Sequence, residues 1–211
     1  MVRKKDNSNE SINEGYKSVS IEKQSEEVEK EKKAMNLIKN KKFQEAETIY
    51  RELIAENSKN YLVYGNLATI YWMINKPNES EELFRKAISL NPNYHEGLNN
   101  LGAIVKKQGD LELAIEYFQK AINIYPDYSA ALNNLGNCLQ DKKEIKSAIK
   151  IYKQALVIKP NDAELHHNLG IAYQKDNQLN EAILEFKKSL VINPKYPDAL
   201  NSLGNIYQKN K

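Results

Sequence analysis

The sequence predicts an all-α fold, a chain of helical hairpins stacked side by side into a repeat array. Three observations predict it. Gly102, Gly136, Gly170 and Gly204 are 34 residues apart, and so are Pro92, Pro126, Pro160 and Pro194. Phe84, Phe118, Tyr152 and Phe186 form a third series at the same period. No stretch of the pattern alternates apolar and polar residues as a strand would. A fixed period of this length marks a repeat architecture.

Each unit divides into two helices. From His95, the residues Leu98, Leu101, Gly102 and Val105 fall at i, i+3, i+4 and i+7, one apolar stripe. Gly109 is placed to stop that helix and Asp110 to cap the next. Leu111, Ala114, Ile115, Phe118, Ala121 and Ile122 make the second stripe, which Pro126 ends. Asp127 is placed to cap the following unit. One hairpin alone cannot bury enough apolar surface to offset its own ordering, so the units must stack. Gly102 and its equivalents allow helices to approach closely, with Phe118 filling the space between units.

These residues carry a family resemblance. Leu101-Gly102, Ala114, Phe118, Ala121 and Pro126 resemble the tetratricopeptide repeat (TPR) signature at its own period. Leu135-Gly136, Ala148, Tyr152, Ala155 and Pro160 repeat it, as do Leu169-Gly170, Ala182, Phe186, Ser189 and Pro194. Leu67-Ala68, Ser80, Phe84, Ala87 and Pro92 form a weaker unit. A degenerate one keeps Ala34, Leu37, Ala46, Tyr50 and Leu53. The resemblance implies a right-handed superhelical solenoid of helix-turn-helix hairpins. Its units lie near 27–60, 61–94, 95–128, 129–162 and 163–196, with a half unit over 197–211.

The array is expected to span 21–211, behind a disordered polar tail over 1–20 that lacks a periodic apolar face. Ile21, Val28 and Met35 are seven apart, which suits a helix starting near Ser20. At the other end, Leu203, Ile206 and Tyr207 keep the apolar pattern where a cap carries a polar outer face. That open C-terminal edge is either a self-association surface or a sign of a longer array.

Net charge is +3 with 28% charged residues, and this balance speaks against a dedicated nucleic-acid or membrane surface. The run Arg3-Lys4-Lys5 is too short to change that. A single cysteine excludes an internal disulfide. There is no long apolar run and no apolar segment of secretory type near the start, so a cytoplasmic protein is expected. On that expectation the sequons at Asn9 and Asn78 are chance matches.

The candidate binding residues are amides. One position before the leucine of each signature stand Asn66, Asn100, Asn134 and Asn168, then Ser202. The position before reads Gly65, Asn99, Asn133, His167 and Asn201, and Asn137 and Asn205 lie a turn further on. On a helical wheel Asn133, Asn134 and Asn137 point away from Leu132, Leu135 and Leu139. The register resembles the asparagine ladder in the repeat region of O-linked N-acetylglucosamine transferases. The resemblance implies that Asn66, Asn100, Asn134 and Asn168 grip the backbone of an extended peptide in the concave groove. Ser202 departs from it. An amide has donors and an acceptor, so it matches a peptide group whatever the ligand's side chains. First helices about 10 Å apart would meet roughly every third residue of a strand rising about 3.3 Å per residue. The alternative is a merely solvated face, because asparagine is abundant throughout the chain.

Trp72 and Met73, on the groove side of their unit with Leu62, form a candidate apolar anchor, unless the degenerate first unit covers them. A two-carboxylate clamp for chaperone C-termini does not fit. Asn stands where that site needs lysine, and Asp198 and Ser202 stand where it needs basic residues. His166 and His167 diverge by about 100° on a helix, so they make no metal pair. Cys138 aligns with Ile104, Ala172 and Ile206 and reads as a small buried hydrophobe. The glycines do not cluster into a phosphate loop, and nothing pairs a nucleophile with a base. No cofactor, metal or catalysis is expected. The chain reads as a protein-interaction scaffold for a peptide or protein partner. Two alternatives remain: the substrate-recruiting repeats of a glycosyltransferase whose catalytic domain lies elsewhere, and a self-assembling structural array.

Overall fold

The computed structural model describes the backbone of residues 8–209 and the side chains of 24–208. The described residues form eleven helices and no strand. They divide into two compact units, residues 1–90 and 91–211.

The first unit holds α1 (Ser8–Lys39), α2 (Phe43–Ala55), α3 (Tyr61–Met73) and α4 (Pro77–Leu90), each packed on the next. Ala34, Ala46, Tyr50, Leu53, Leu67, Ala68, Phe84 and Ala87 are buried in it. Residues 1–7 of the expected tail lie outside the described residues. From Ser8 the backbone is already helical, where the sequence predicts a tail up to residue 20. Helix can extend there because the stretch joins a helix that packing has already nucleated, although Glu10, Glu14 and Lys17 are its only strong helix formers.

The second unit holds α5 (His95–Lys107), α6 (Leu111–Ile124), α7 (Ser129–Asp141), α8 (Ile145–Ile158), α9 (Ala163–Lys175), α10 (Leu179–Ile192) and α11 (Pro197–Lys209). Sequential helices pair as antiparallel hairpins, and the first helices also touch one another: α5 with α7, α7 with α9, α9 with α11.

The 34-residue period has a plain steric origin. A Cβ built on Gly102 would stand 2.7 Å from the ring of Phe118. Gly136 meets Tyr152 at 2.5 Å and Gly170 meets Phe186 at 2.6 Å. The ring of each second helix thus lies on the glycine of its own first helix. The aromatic locks the hairpin internally, which corrects the expectation that it fills the space between units. Ala114, Phe118, Ala121, Ala148, Tyr152 and Ala155 are all fully buried along this seam. Where serine replaces alanine, its hydroxyl donates to a backbone carbonyl: Ser80 to Ala68 and Ser189 to Ala163, both at 2.7 Å.

The hairpin turns repeat as well. Lys41, Asn75, Gly109, Lys143 and Asn177 all have positive φ. Each follows the cap of a first helix, and the next amide reaches back to close the turn, as Asp110 N to Val105 O and Glu144 N to Leu139 O do. Asp110 then caps α6 by accepting from Leu113 N. Asp127 does not cap α7, whose N-cap is Tyr128 with no side-chain bond. Cys138 is buried, and burial pushes its thiol up to about 11, far from a reactive thiolate.

Candidate functional site

The helix positions singled out in the sequence come together on the first helices of the second unit, and hydrogen bonds connect them. Asn134 Nδ2 donates to Asn99 Oδ1 at 2.9 Å, and one repeat on Asn168 Nδ2 donates to Asn133 Oδ1 at 3.0 Å. One further repeat on, His167 Nε2 and Ser202 Oγ stand 3.3 Å apart. The same two helix positions are therefore joined from α5 to α7, α7 to α9, and α9 to α11. Asn99 also donates to Asn100 Oδ1 (3.3 Å), and Asn133 to Glu164 Oε1 (3.1 Å). An ion pair between Lys106 and Asp141 (3.0 Å) links α5 to α7.

These bonds leave capacity behind. Asn134 uses one N–H and keeps a carbonyl oxygen, Asn168 uses one N–H and also meets His167 through its side chain, and both are half-buried rather than enclosed. Asn100 accepts one bond and keeps its amide hydrogens. Asn99 is buried, which makes it part of the seam more than of the surface. Asn137 accepts from the Tyr152 hydroxyl at 2.6 Å. Gln140 donates to the same hydroxyl (3.0 Å) and approaches the Asn168 carbonyl (3.4 Å), tying the α7–α8 hairpin to α9. Asn201 and Asn205 on α11 are exposed.

His167 takes the place of an asparagine. It is buried against Phe186 and Tyr196, with ring centroids 5.5 and 5.1 Å away. Burial holds its pKa below the usual 6.5, partly opposed by Asp198. His166 is buried too. Its Nδ1 stands 2.6 Å from Glu185 Oε2 and its Nε2 2.9 Å from the Pro160 carbonyl. The two contacts fix the ring between α10 and the Pro160 carbonyl. Lys188 donates to the other Glu185 oxygen at 2.8 Å.

In the first unit Asn66 is half-buried on α3. It lies beside the Tyr50 hydroxyl but outside hydrogen-bonding geometry, and burial pushes that hydroxyl up to about 12. Trp72 is half-buried, while Met73 is 58% exposed and Leu62 38%.

Gln140 and Glu185 escaped the sequence reading. Glu185 sits next to Phe186, Lys187 and Lys188 and reads as part of a solvated charge run. Only its spacing from His166 could have flagged it. Among the described residues no group of three or more His, Cys, Asp or Glu could hold a metal ion, and no helix is long and apolar enough to cross a membrane.

Stacked two-helix repeats with a ring on a glycine define a helical-repeat solenoid. Tetratricopeptide-repeat models match residues 37–101, 94–160, 151–184 and 175–211. The chain belongs to the tetratricopeptide-repeat family. No curated protein matches its sequence. Among solved structures it is similar to MamA, at 25% identity and a TM-score of 0.69 over 77% of this chain and 95% of that one. It is similar to YrrB, described as a TPR protein with an unusual peptide-binding site, at 20% identity, TM-score 0.70, and 88% and 96% coverage. It also resembles PilF of Pseudomonas aeruginosa, at 16% identity, TM-score 0.78, and 89% and 86% coverage. These confirm an all-α solenoid of stacked hairpins. Its repeats are those of protein-interaction scaffolds.

Proposed function

We propose that the chain is a non-catalytic adaptor whose first-helix face in the second unit holds an extended peptide by its backbone. The observation that carries this reading is the amide row of Asn100, Asn134 and Asn168. Each is positioned by a hydrogen bond and retains unused donors or acceptors on a half-buried surface. An amide already fixed by one bond loses less rotamer freedom on meeting a ligand. The peptide-binding description of YrrB supports the same use of a like fold.

The test is a titration of an unstructured peptide, selected by display on the wild-type chain, against wild type and an Asn100→Ala/Asn134→Ala/Asn168→Ala variant. Three lost bonds at about 0.5–1.5 kcal/mol each predict at least about a tenfold weaker Kd. Equal affinities in a folded variant remove the amide row from the mechanism. The adaptor reading also predicts no binding of sugar nucleotides, which the glycosyltransferase alternative requires of its whole enzyme.

A second reading, self-assembly, draws on α11. A Cβ on Gly204 meets nothing within 4 Å, unlike the ring-covered Gly102, Gly136 and Gly170. Leu200 and Tyr207 are about half exposed on the same helix. Mass measured across a concentration series decides it: a rising mass supports assembly, and a constant monomer mass removes it.

A further inference from the structure

The second helices carry a surface that the amide face does not explain. Val157 at the end of α8 and Val191 at the end of α10 are 84% and 81% exposed, and Leu184 is 54% exposed. Isolated exposed apolar residues need no explanation, but these line adjoining hollows. One, of about 580 Å³, runs from Pro160 and Asn161 along Leu184, Val191 and Ile192. The other, of about 280 Å³, takes in Leu156 and Val157. The two share Pro160, His166 and Lys188 and so form one continuous trough.

The trough is specific to this part of the array. Leu184, Lys188 and Val191 correspond, 34 residues earlier, to Lys150, Gln154 and Val157, and a further repeat back to Glu116, Lys120 and Asn123. A solvated helix face is thus replaced by aliphatic residues on α10. The charges around it are one-sided. Lys153, Lys187 and Lys188 stand on the rim. The single lining carboxylate, Glu185, is buried and already paired with His166 and Lys188. Lys153 lies over the Tyr173 ring (5.4 Å), and among the described residues no ion pair joins it to a carboxylate. From α8 only Lys153 lines the trough as a charged residue, and that helix carries no Asp or Glu.

An apolar floor within a cationic rim is complementary to one kind of ligand. We infer that this trough docks an acidic partner segment, a short stretch of protein in which one or two Leu, Ile or Phe side chains are flanked by Asp or Glu. The apolar side chains bury against Leu184 and Val191, and the carboxylates face Lys153 and Lys187. Rim charge of this kind acts mainly on association and makes binding weaken with salt.

The test uses the full 211-residue chain. A random peptide display library is panned on wild type, and the enriched peptides are titrated against Leu184→Ser/Val191→Ser and against Lys153→Glu/Lys187→Glu. All four changes fall on exposed side chains, and circular dichroism checks that the variants fold. We expect a class of acidic peptides with aliphatic or aromatic anchors. Each variant should bind them at least about tenfold more weakly, and wild-type binding should fall several-fold between 50 and 300 mM salt, roughly as screening demands. The Asn100→Ala/Asn134→Ala/Asn168→Ala variant should bind this class as wild type does, so the trough and the amide face succeed or fail separately. Enriched peptides that bind both trough variants as tightly as wild type, or no acidic class at all, overturn the inference. So does a trough-dependent recruitment to phosphatidylserine-containing vesicles with no acidic peptide enriched, which would assign the surface to lipid.

Discussion

The candidate binding positions of α3 and those of α5, α7 and α9 are the same positions on the same repeat, filled differently around one shared asparagine. On α3 they read Leu62, Gly65, Asn66, Thr69 and Met73. On α7 they read Ala130, Asn133, Asn134, Asn137 and Asp141. Both helices are 13 residues long and each has a buried leucine where the signature requires it. The hairpin is fixed by alanines, a small residue and an aromatic, and none of these belongs to the proposed binding face. The proposed ligand side is therefore free to vary, more apolar on α3, which keeps Asn66 and Thr69, and amide-rich on α7. Fold and the proposed binding chemistry are assigned to different residues of one helix.

The largest effect should come from the shared half of that division. Phe118→Ala removes a fully buried ring and should cost about 3–5 kcal/mol in urea unfolding. Loss under 1 kcal/mol would mean that the ring-on-glycine contact does not hold the hairpin.

The amide half should be worth less and should depend on which amide is changed. Asn134→Ala leaves the buried Asn99 oxygen without its partner, at about 1–2 kcal/mol. Asn205→Ala, on an exposed position, should stay within about 0.5 kcal/mol of wild type. Equal costs would show that the seam between first helices carries no stability.

His167 gives the comparison a pH dependence. Its folded pKa is lowered, so the unfolded chain takes up the proton first as pH falls through the usual 6.5. Stability is then intact above that pH and declines below it, since the unfolded state binds more protons. His167→Asn restores the residue found at the equivalent positions 99 and 133. It should show a smaller drop in urea midpoint between pH 7 and pH 5 than wild type does. An identical drop assigns the acid sensitivity elsewhere.

The smallest effect belongs to the turns. Lys143 has φ +65° where the equivalent residue one repeat earlier is Gly109. Lys143→Gly relieves a left-handed side-chain clash and should raise stability by up to about 1 kcal/mol, offset in part by glycine's unfolded entropy. A loss of stability on this change would mean that the lysine makes a compensating contact.

Most of the fold was legible because its determinants are periodic: a glycine, a proline and an aromatic recur at one spacing, and no other architecture explains all three. The amide register was legible for the same reason. What was not legible was how these amides pair. Asn134 bonds to a residue 35 positions back, and Asn99 is buried by that arrangement. A helical wheel describes one helix and cannot show what its neighbour covers. Glu185 was hidden by adjacent lysines, because its buried partner His166 lies on a different helix. The helical start of α1 was hidden because a helix that extends by continuity needs no apolar stripe of its own.

The central claim is that the amide row reads peptide backbone, and ligand backbone methylation tests it most directly. A display-selected peptide that binds the first-helix face is synthesised with N-methyl groups at every third residue, in each of the three frames, and titrated against the chain. The account predicts that one frame loses about tenfold or more in affinity, since the rungs recur at about that interval along an extended strand. Replacing the side chains of the same residues should change little. Equal affinity in all three frames, together with strong dependence on those side chains, would contradict a backbone grip by Asn100, Asn134 and Asn168.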